Sequence, residues 1–215
     1  MMHSELKESL RQAYNGNASD RDKGDIHSWK LPVRENFLWR LLQENKASLL
    51  EIGAGPGKDS RFFADHGLDV ITTDLSENMI ELCRQKGLRA QVLDFFHLTQ
   101  LGATFDAVWS MNCLLHVPKA DLDAVLQQID DVLNPLGLFH MGVYGGRDSE
   151  GVNENDVCNP PRFFSFFAHD HLKTVLEQHF DIVDFTVIKT DDTYDFQSVV
   201  LRKRPGIQES DHEAV

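Results

Sequence analysis

The residues with the clearest chemical purpose lie in LLEIGAGPGKDS, where an apolar run closes on Glu51 and is followed by Gly53, Gly55 and Gly57 and then a helix-like stretch. Glycines at alternate positions let the backbone pass close to a ligand, and a strand-to-helix loop puts that ligand at the carboxyl edge of a parallel sheet. Two more carboxylates stand in register with this loop: Asp74 ends the next strand-like run, and Asp94 follows the one after it. A carboxylate placed like Asp74 can accept hydrogen bonds from both hydroxyls of a ribose. Each acid also has a local reading, Asp74 as the start of a turn before Ser76 and Asp94 as a helix cap. Three acids ending three successive strands argue for a shared ligand.

Spacing narrows the ligand. A phosphate-binding P-loop needs GxxxxGK[ST], but Ile52 stands where its first glycine belongs and Asp59 where its Ser or Thr belongs, so that reading fails twice. A dinucleotide loop, GxGxxG, would place its third glycine at position 58, which is Lys58. This disfavours NAD without excluding it.

The elements that must hold these residues follow from the hydrophobic pattern. Strand-like runs at 48–52, 69–74, 89–94, 105–111 and 137–143 alternate with helix-like stretches, which predicts a parallel sheet flanked by helices. The helices are expected from Lys58 to His66, from the N-cap candidate Ser76 to Lys86, and from Lys119 to Leu133, where Leu122, Val125, Leu126, Ile129 and Val132 fall on one face. Beyond a helix at His169–His179, DIVDFTVIK and FQSVVLRK can form a hairpin around TDDTYD. The first 46 residues read as a lid or added layer, with a polar helical start, a break from Asn15 to Asp25, and an amphipathic LPVRENFLWRLL.

Composition sets outer bounds. With 215 residues, 41% hydrophobic and 26% charged, the chain fits one domain with an ordinary core. The apolar runs are too short to span a membrane and the first residues lack a signal-peptide core, so a cytoplasmic location is the default expectation. A net charge of −13 argues against a nucleic-acid substrate, since the one dense basic cluster, Arg202 to Arg204, reads as a solvated tail. Three cysteines without CxxC spacing indicate neither a disulfide framework nor a metal site.

An acid two residues before a GxGxG loop resembles motif I of the class I S-adenosylmethionine (SAM)-dependent methyltransferases, and about residues 30–203 resemble their small-molecule branch, similar to the quinone-biosynthesis enzymes. FDAVWSMNCLLHVP matches that family's fourth-strand region, with His116 and Pro118 opening the next helix. The resemblance implies a Rossmann-like α/β sandwich with strand order 3-2-1-4-5-7-6 and an antiparallel last strand. It also implies a SAM cofactor held by Glu51, Gly53, Ala54, Gly55 and Gly57, by Asp74, Leu75 and Met79, by Asp94 and Phe95 at the adenine, and by Asn112. One departure is Pro135-Leu136-Gly137 where relatives often carry PGG, which bears on the turn geometry there.

Transfer of a methyl group from a sulfonium is an in-line displacement that needs alignment and exclusion of water more than a nucleophile or a metal. His116 is the candidate general base; alternatively it packs the turn before Pro118. The acceptor, a small molecule, is expected between two segments. The long stretch 144–167 offers Tyr144, Arg147, Arg162, Phe163 and Phe166, and the N-terminal part offers Tyr14, Trp29 and Arg34. A monomer or homodimer is expected. The competing readings are an NAD-linked oxidoreductase and a SAM-binding partner protein without turnover.

Overall fold

The computed structural model describes residues 4–190 and 193–205. Seven strands form one sheet: β1 (Ser48–Ile52), β2 (Asp69–Asp74), β3 (Arg89–Val92), β4 (Phe105–Met111), β5 (Leu133–Gly145), β8 (Phe180–Ile188) and β9 (Asp195–Lys203). Their order is β3-β2-β1-β4-β5-β9-β8, which counted within this sheet is the expected 3-2-1-4-5-7-6. The first five are parallel and β9 runs antiparallel to both β5 and β8. The hairpin's turn lies partly outside the described residues. A second, two-stranded antiparallel sheet, β6 (Ser149–Val152) with β7 (Phe163–Phe166), gives structure to the stretch 144–167.

Period-two alternation divides the core into two clusters on opposite faces. Leu50, Ile52, Val108, Phe139, Met141, Val199 and Leu201 face one way, against α5 (Leu122–Val132) and α6 (His169–His179). Leu49, Ala107, Trp109, Leu138 and Val200 face the other way, against α2 (Lys30–Gln43) and α3 (Lys58–Asp65). α2 buries Phe37, Leu38 and Leu41, and each such side chain contributes about 1.5–3 kcal/mol by leaving water. It is thus a layer of the sandwich and not part of a lid, while its Leu42 is half-exposed. His140, the polar interruption in β5, stacks on the Trp109 ring at 3.9 Å inside this face.

α1 (Ser4–Lys23) runs straight through the expected break at Asn15. The Asn15 side chain accepts from Ser76 Oγ and from the Asn78 backbone N–H, and donates to Glu77. Its polarity is spent on docking to α4 (Glu77–Gln85), so tertiary contacts override a weak helix propensity. Arg11 adds a two-pronged pair with Glu77 at 2.8 and 2.9 Å. Among the expected helices, Ser76 does cap α4 by accepting from the Met79 N–H, while Lys119–Asp121 is a short 3₁₀ turn before α5.

Two further differences have local causes. Leu136 occupies the left-handed region at φ 59°, which favours glycine, and a Cβ added to Gly137 would stand 2.8 Å from the Asn134 carbonyl oxygen. Arg202, Lys203 and Arg204 do not form a solvated tail: they pair with Glu44, Asp130 and Asp181. No described helix is long and apolar enough to cross a membrane.

Candidate functional site

β1, β2 and β4 all end at one sheet edge, and a cavity of about 450 Å³ opens there, roofed by α1 and the segment 24–30. Gly53, Gly55 and Gly57 all have positive φ, at 61°, 56° and 76°, but they do different things. A Cβ on Gly53 would stand 2.3 Å from Cys113 Cβ, and one on Gly57 would strike Cys83 and Leu88. Gly55 alone has open space there, and it lines the cavity with Gly53 and Ala54. The loop is therefore packed from below at Gly53 and Gly57 and left bare toward the cavity at Gly55.

Asp74 lines the same cavity, with one carboxylate oxygen accepting the Gly55 N–H and the other the Ser76 N–H, both at 2.8 Å. Backbone fixes its orientation, yet burial raises its pKa, since those two amides do not replace bulk water. Glu51 is buried behind the loop, takes a short hydrogen bond from Ser60 Oγ, and is pushed well above the ordinary carboxylate range by burial and by Asp59. Asp94 also lines the cavity. Its oxygens are held by Lys7 Nζ from α1, by the Phe96 N–H at 2.9 Å and by His97 Nδ1 at 2.7 Å. Burial raises the Asp94 pKa, but the bonds from Lys7 and His97 outweigh it and the net shift is downward.

The structure does not place every expected cofactor residue at the cavity. Leu75, Phe95 and Asn112 line it; Met79 does not, because on α4 it points into the core and is fully buried. Gly57 likewise caps α3 from outside the cavity. Asn112 adopts φ 56°, unusual for a residue with a side chain, and its buried Oδ1 has no hydrogen-bond partner among the described residues.

At the other end of the cavity stand Tyr14, His116, Arg162, Tyr144 and Phe164. His116 Nδ1 meets the Phe163 carbonyl oxygen at 2.7 Å, and a carbonyl only accepts, so that nitrogen carries the proton. Burial drives the imidazole pKa down to about 3, leaving it neutral, so Nε2 offers a lone pair to the Tyr14 hydroxyl at 2.6 Å. Arg162 Nη1 donates to the same Tyr14 oxygen at 3.2 Å while its other nitrogens clasp Asp156 at 2.7 and 2.8 Å.

Of the other expected acceptor contacts, Trp29 packs on Phe196 at 4.5 Å and edge-on to Tyr144, outside the cavity. Arg34 pairs with Asp59, and Arg147 lies over the Tyr194 ring. Phe163 contributes only its carbonyl, Phe166 stacks on Tyr194, and Phe164, one register position away, is the ring that reaches the cavity. The alternation within β7 decides this, and nothing in FFSF taken alone fixes which face points inward. Arg21 and Lys30 were not among the expected residues but line the cavity; Arg21 falls within the expected break from Asn15 to Asp25 and Lys30 just before the amphipathic LPVRENFLWRLL.

Residues 49–137 match the family described as a methyltransferase domain. The chain is 31% identical over 114 residues to the ubiquinone biosynthesis O-methyltransferase of Xylella fastidiosa, covering 49% of this chain and 45% of that protein. Methyltransferase GfsG of Streptomyces halstedii is 31% identical over 98 residues, covering 41% and 34%. The chain thus spans less than half the length of these curated relatives. In fold it is similar to the 1,6-didemethyltoxoflavin-N1-methyltransferase of Burkholderia thailandensis, solved with 1,6-didemethyltoxoflavin and S-adenosylhomocysteine. That likeness has a TM-score of 0.74 at 22% identity and covers 93% of this chain and 89% of the other. Magnesium protoporphyrin IX methyltransferase of Synechocystis, solved with SAM, aligns with a TM-score of 0.68 at 16% identity, covering 94% and 99%. Residues 49–137 are thus similar to a methyltransferase domain, and the fold around them is the one these methyltransferase structures share.

Proposed function

We propose that this chain binds SAM and transfers its methyl group to a small-molecule acceptor. The observation that carries the reading is the pairing of Gly55, bare toward the cavity, with the buried Asp74 carboxylate that the Gly55 N–H itself orients. A site so made accepts a ribose edge without rearranging, and Asn112, with an unpaired polar atom at the same cavity, has hydrogen-bonding capacity left for a ligand. The small-molecule reading is supported by the roof, since α1 reaches the stretch 144–167 at Asn17–Cys158 and at Tyr14–Arg162 and so covers one side of the cavity.

SAM, when bound, supplies an electrophilic methyl group on a cationic sulfur. Asp74 would hold the ribose, and Glu51 would act through the loop at the amino-acid end. Asp94 would meet the adenine edge, which requires that it share or release Lys7. His116 orients Tyr14: with both ring nitrogens engaged and the ring buried, it positions the phenol that faces the acceptor. The protein's contribution is alignment and exclusion of water.

Calorimetry with SAM, S-adenosylhomocysteine and NAD tests the reading. SAM and its demethylated product should bind and NAD should not; the reverse would make the chain a dinucleotide protein. Asp74→Ala should cost about 1–3 kcal/mol of SAM binding free energy through lost charge-assisted hydrogen bonds, and unchanged affinity would refute the assignment.

A further inference from the structure

The acceptor end of the cavity carries cations, and its buried histidine is already spent. Arg21 and Arg162 both lie over the Tyr14 ring, at 5.2 and 5.4 Å from its centre. Asp156 matches the charge of Arg162. Arg21, at the cavity mouth, forms no ion pair among the described residues, and its field reaches Tyr14, His116 and Asp74. The buried and half-buried carboxylates of the cavity are already engaged: Glu51 by Ser60, Asp59 by Arg34 and Trp109, Asp74 by backbone amides, Asp94 by Lys7 and His97. Asp25 and His27 are exposed on the segment 24–30 of the same cavity.

Two consequences follow. A protonated amine entering beside Tyr14 would meet two guanidinium groups and one spent carboxylate. A neutral hydroxyl beside Tyr14 could not pass its proton to His116, because both nitrogens of that ring are bound within the protein. A molecule that arrives already ionised meets neither obstacle.

Resting on the methyltransferase reading, we propose that the acceptor is bound and methylated as a small organic anion, such as an ionised acidic phenol or a carboxylate. Arg21 is its counter-ion and the Tyr14 hydroxyl its hydrogen-bonding contact. The step then balances without proton transfer. The acceptor's electron pair forms the bond to the methyl carbon, and the carbon–sulfur bond breaks with its pair left on sulfur. An anion and a sulfonium thus become two products, each without the charge it brought to the bond. A planar guanidinium, always charged and weakly hydrated, suits such a partner.

The same chemistry has a second source, the carboxylate of the methyl donor's own amino-acid end, and the test separates the two. On wild-type protein saturated with S-adenosylhomocysteine, calorimetry compares benzoate and 4-nitrophenolate with benzamide and benzylamine. The anions should bind at least tenfold more tightly. Arg21→Gln should abolish that preference while leaving S-adenosylhomocysteine affinity within twofold and the thermal melt unchanged. Equal affinities, a preference for benzylamine, or no detectable anion binding would overturn the proposal and leave the methyltransferase reading standing. Weakened S-adenosylhomocysteine binding in Arg21→Gln would assign the guanidinium to the donor's carboxylate and overturn it as well. Failure of the wild type to bind S-adenosylhomocysteine would remove the underlying reading itself.

Discussion

The two ends of the cavity are built in different ways. At the proposed donor end, Glu51, Gly55 and Asp74 sit within a short stretch of chain, each at or just past a strand end, and backbone amides orient the Asp74 carboxylate. At the acceptor end, Tyr14, His116 and Arg162 come from α1, from the turn after β4 and from the insertion, and side chains hold one another. A site fixed by backbone tolerates drift in the rest of the chain, whereas one fixed by side-chain pairs changes with every partner. That difference is the physical reason a shared donor can serve many acceptors.

The glycines give the sharpest way to break the comparison. Gly53→Ala drives a methyl group into Cys113 at a positive φ, and should cost about 3 kcal/mol or more of folding stability, read by urea titration. Gly55→Ala meets open space, so it should cost only about 1 kcal/mol for the left-handed backbone while filling the donor cradle and abolishing measurable SAM binding. If both variants lose stability equally, the division of labour between packing and cavity is wrong.

On the acceptor side, Tyr14→Phe removes the hydroxyl that joins His116 to Arg162. Turnover of a productive acceptor should fall about tenfold in kcat/KM, the effect of one hydrogen bond of ~1.4 kcal/mol, with SAM affinity unchanged. Weaker SAM binding would mean that the two ends are not separable.

The smallest effect concerns Glu51. Its pKa in the folded protein lies above its unfolded value, so the stability it contributes is fully present below the unfolded pKa and is lost as pH rises toward the folded one. Glu51→Gln should therefore raise the melting temperature of the ligand-free protein near pH 8 by about 2–4 °C, the shift that ~1 kcal/mol produces in a domain of this size, and weaken SAM binding. A melting temperature that stays level or falls would show that Glu51 is ionised and well solvated by its neighbours.

Legibility followed the same divide. The glycine loop and the places of Asp74 and Asp94 at or just past strand ends were readable because strand alternation and turn chemistry are local properties of the chain, whereas the strand order came only through the family resemblance. Met79 and Trp29 were misplaced because a helix methionine or an edge tryptophan is apolar on any face, and only packing tells core from cavity. Phe164 rather than Phe163 or Phe166 reached the cavity because a one-residue choice of register inverts β7. The helix through Asn15 was hidden by weak propensity and exists through its contacts with α4.

By itself, then, the sequence determined the alternation of strands and helices and the glycine loop that ends the first strand, since each depends on residues near one another in the chain. The tertiary structure alone decided that His116 is bound at both nitrogens, by the Tyr14 hydroxyl and by the Phe163 carbonyl. That depends on Tyr14 and His116, about a hundred residues apart, meeting at a few ångströms, which no local pattern of residue types encodes.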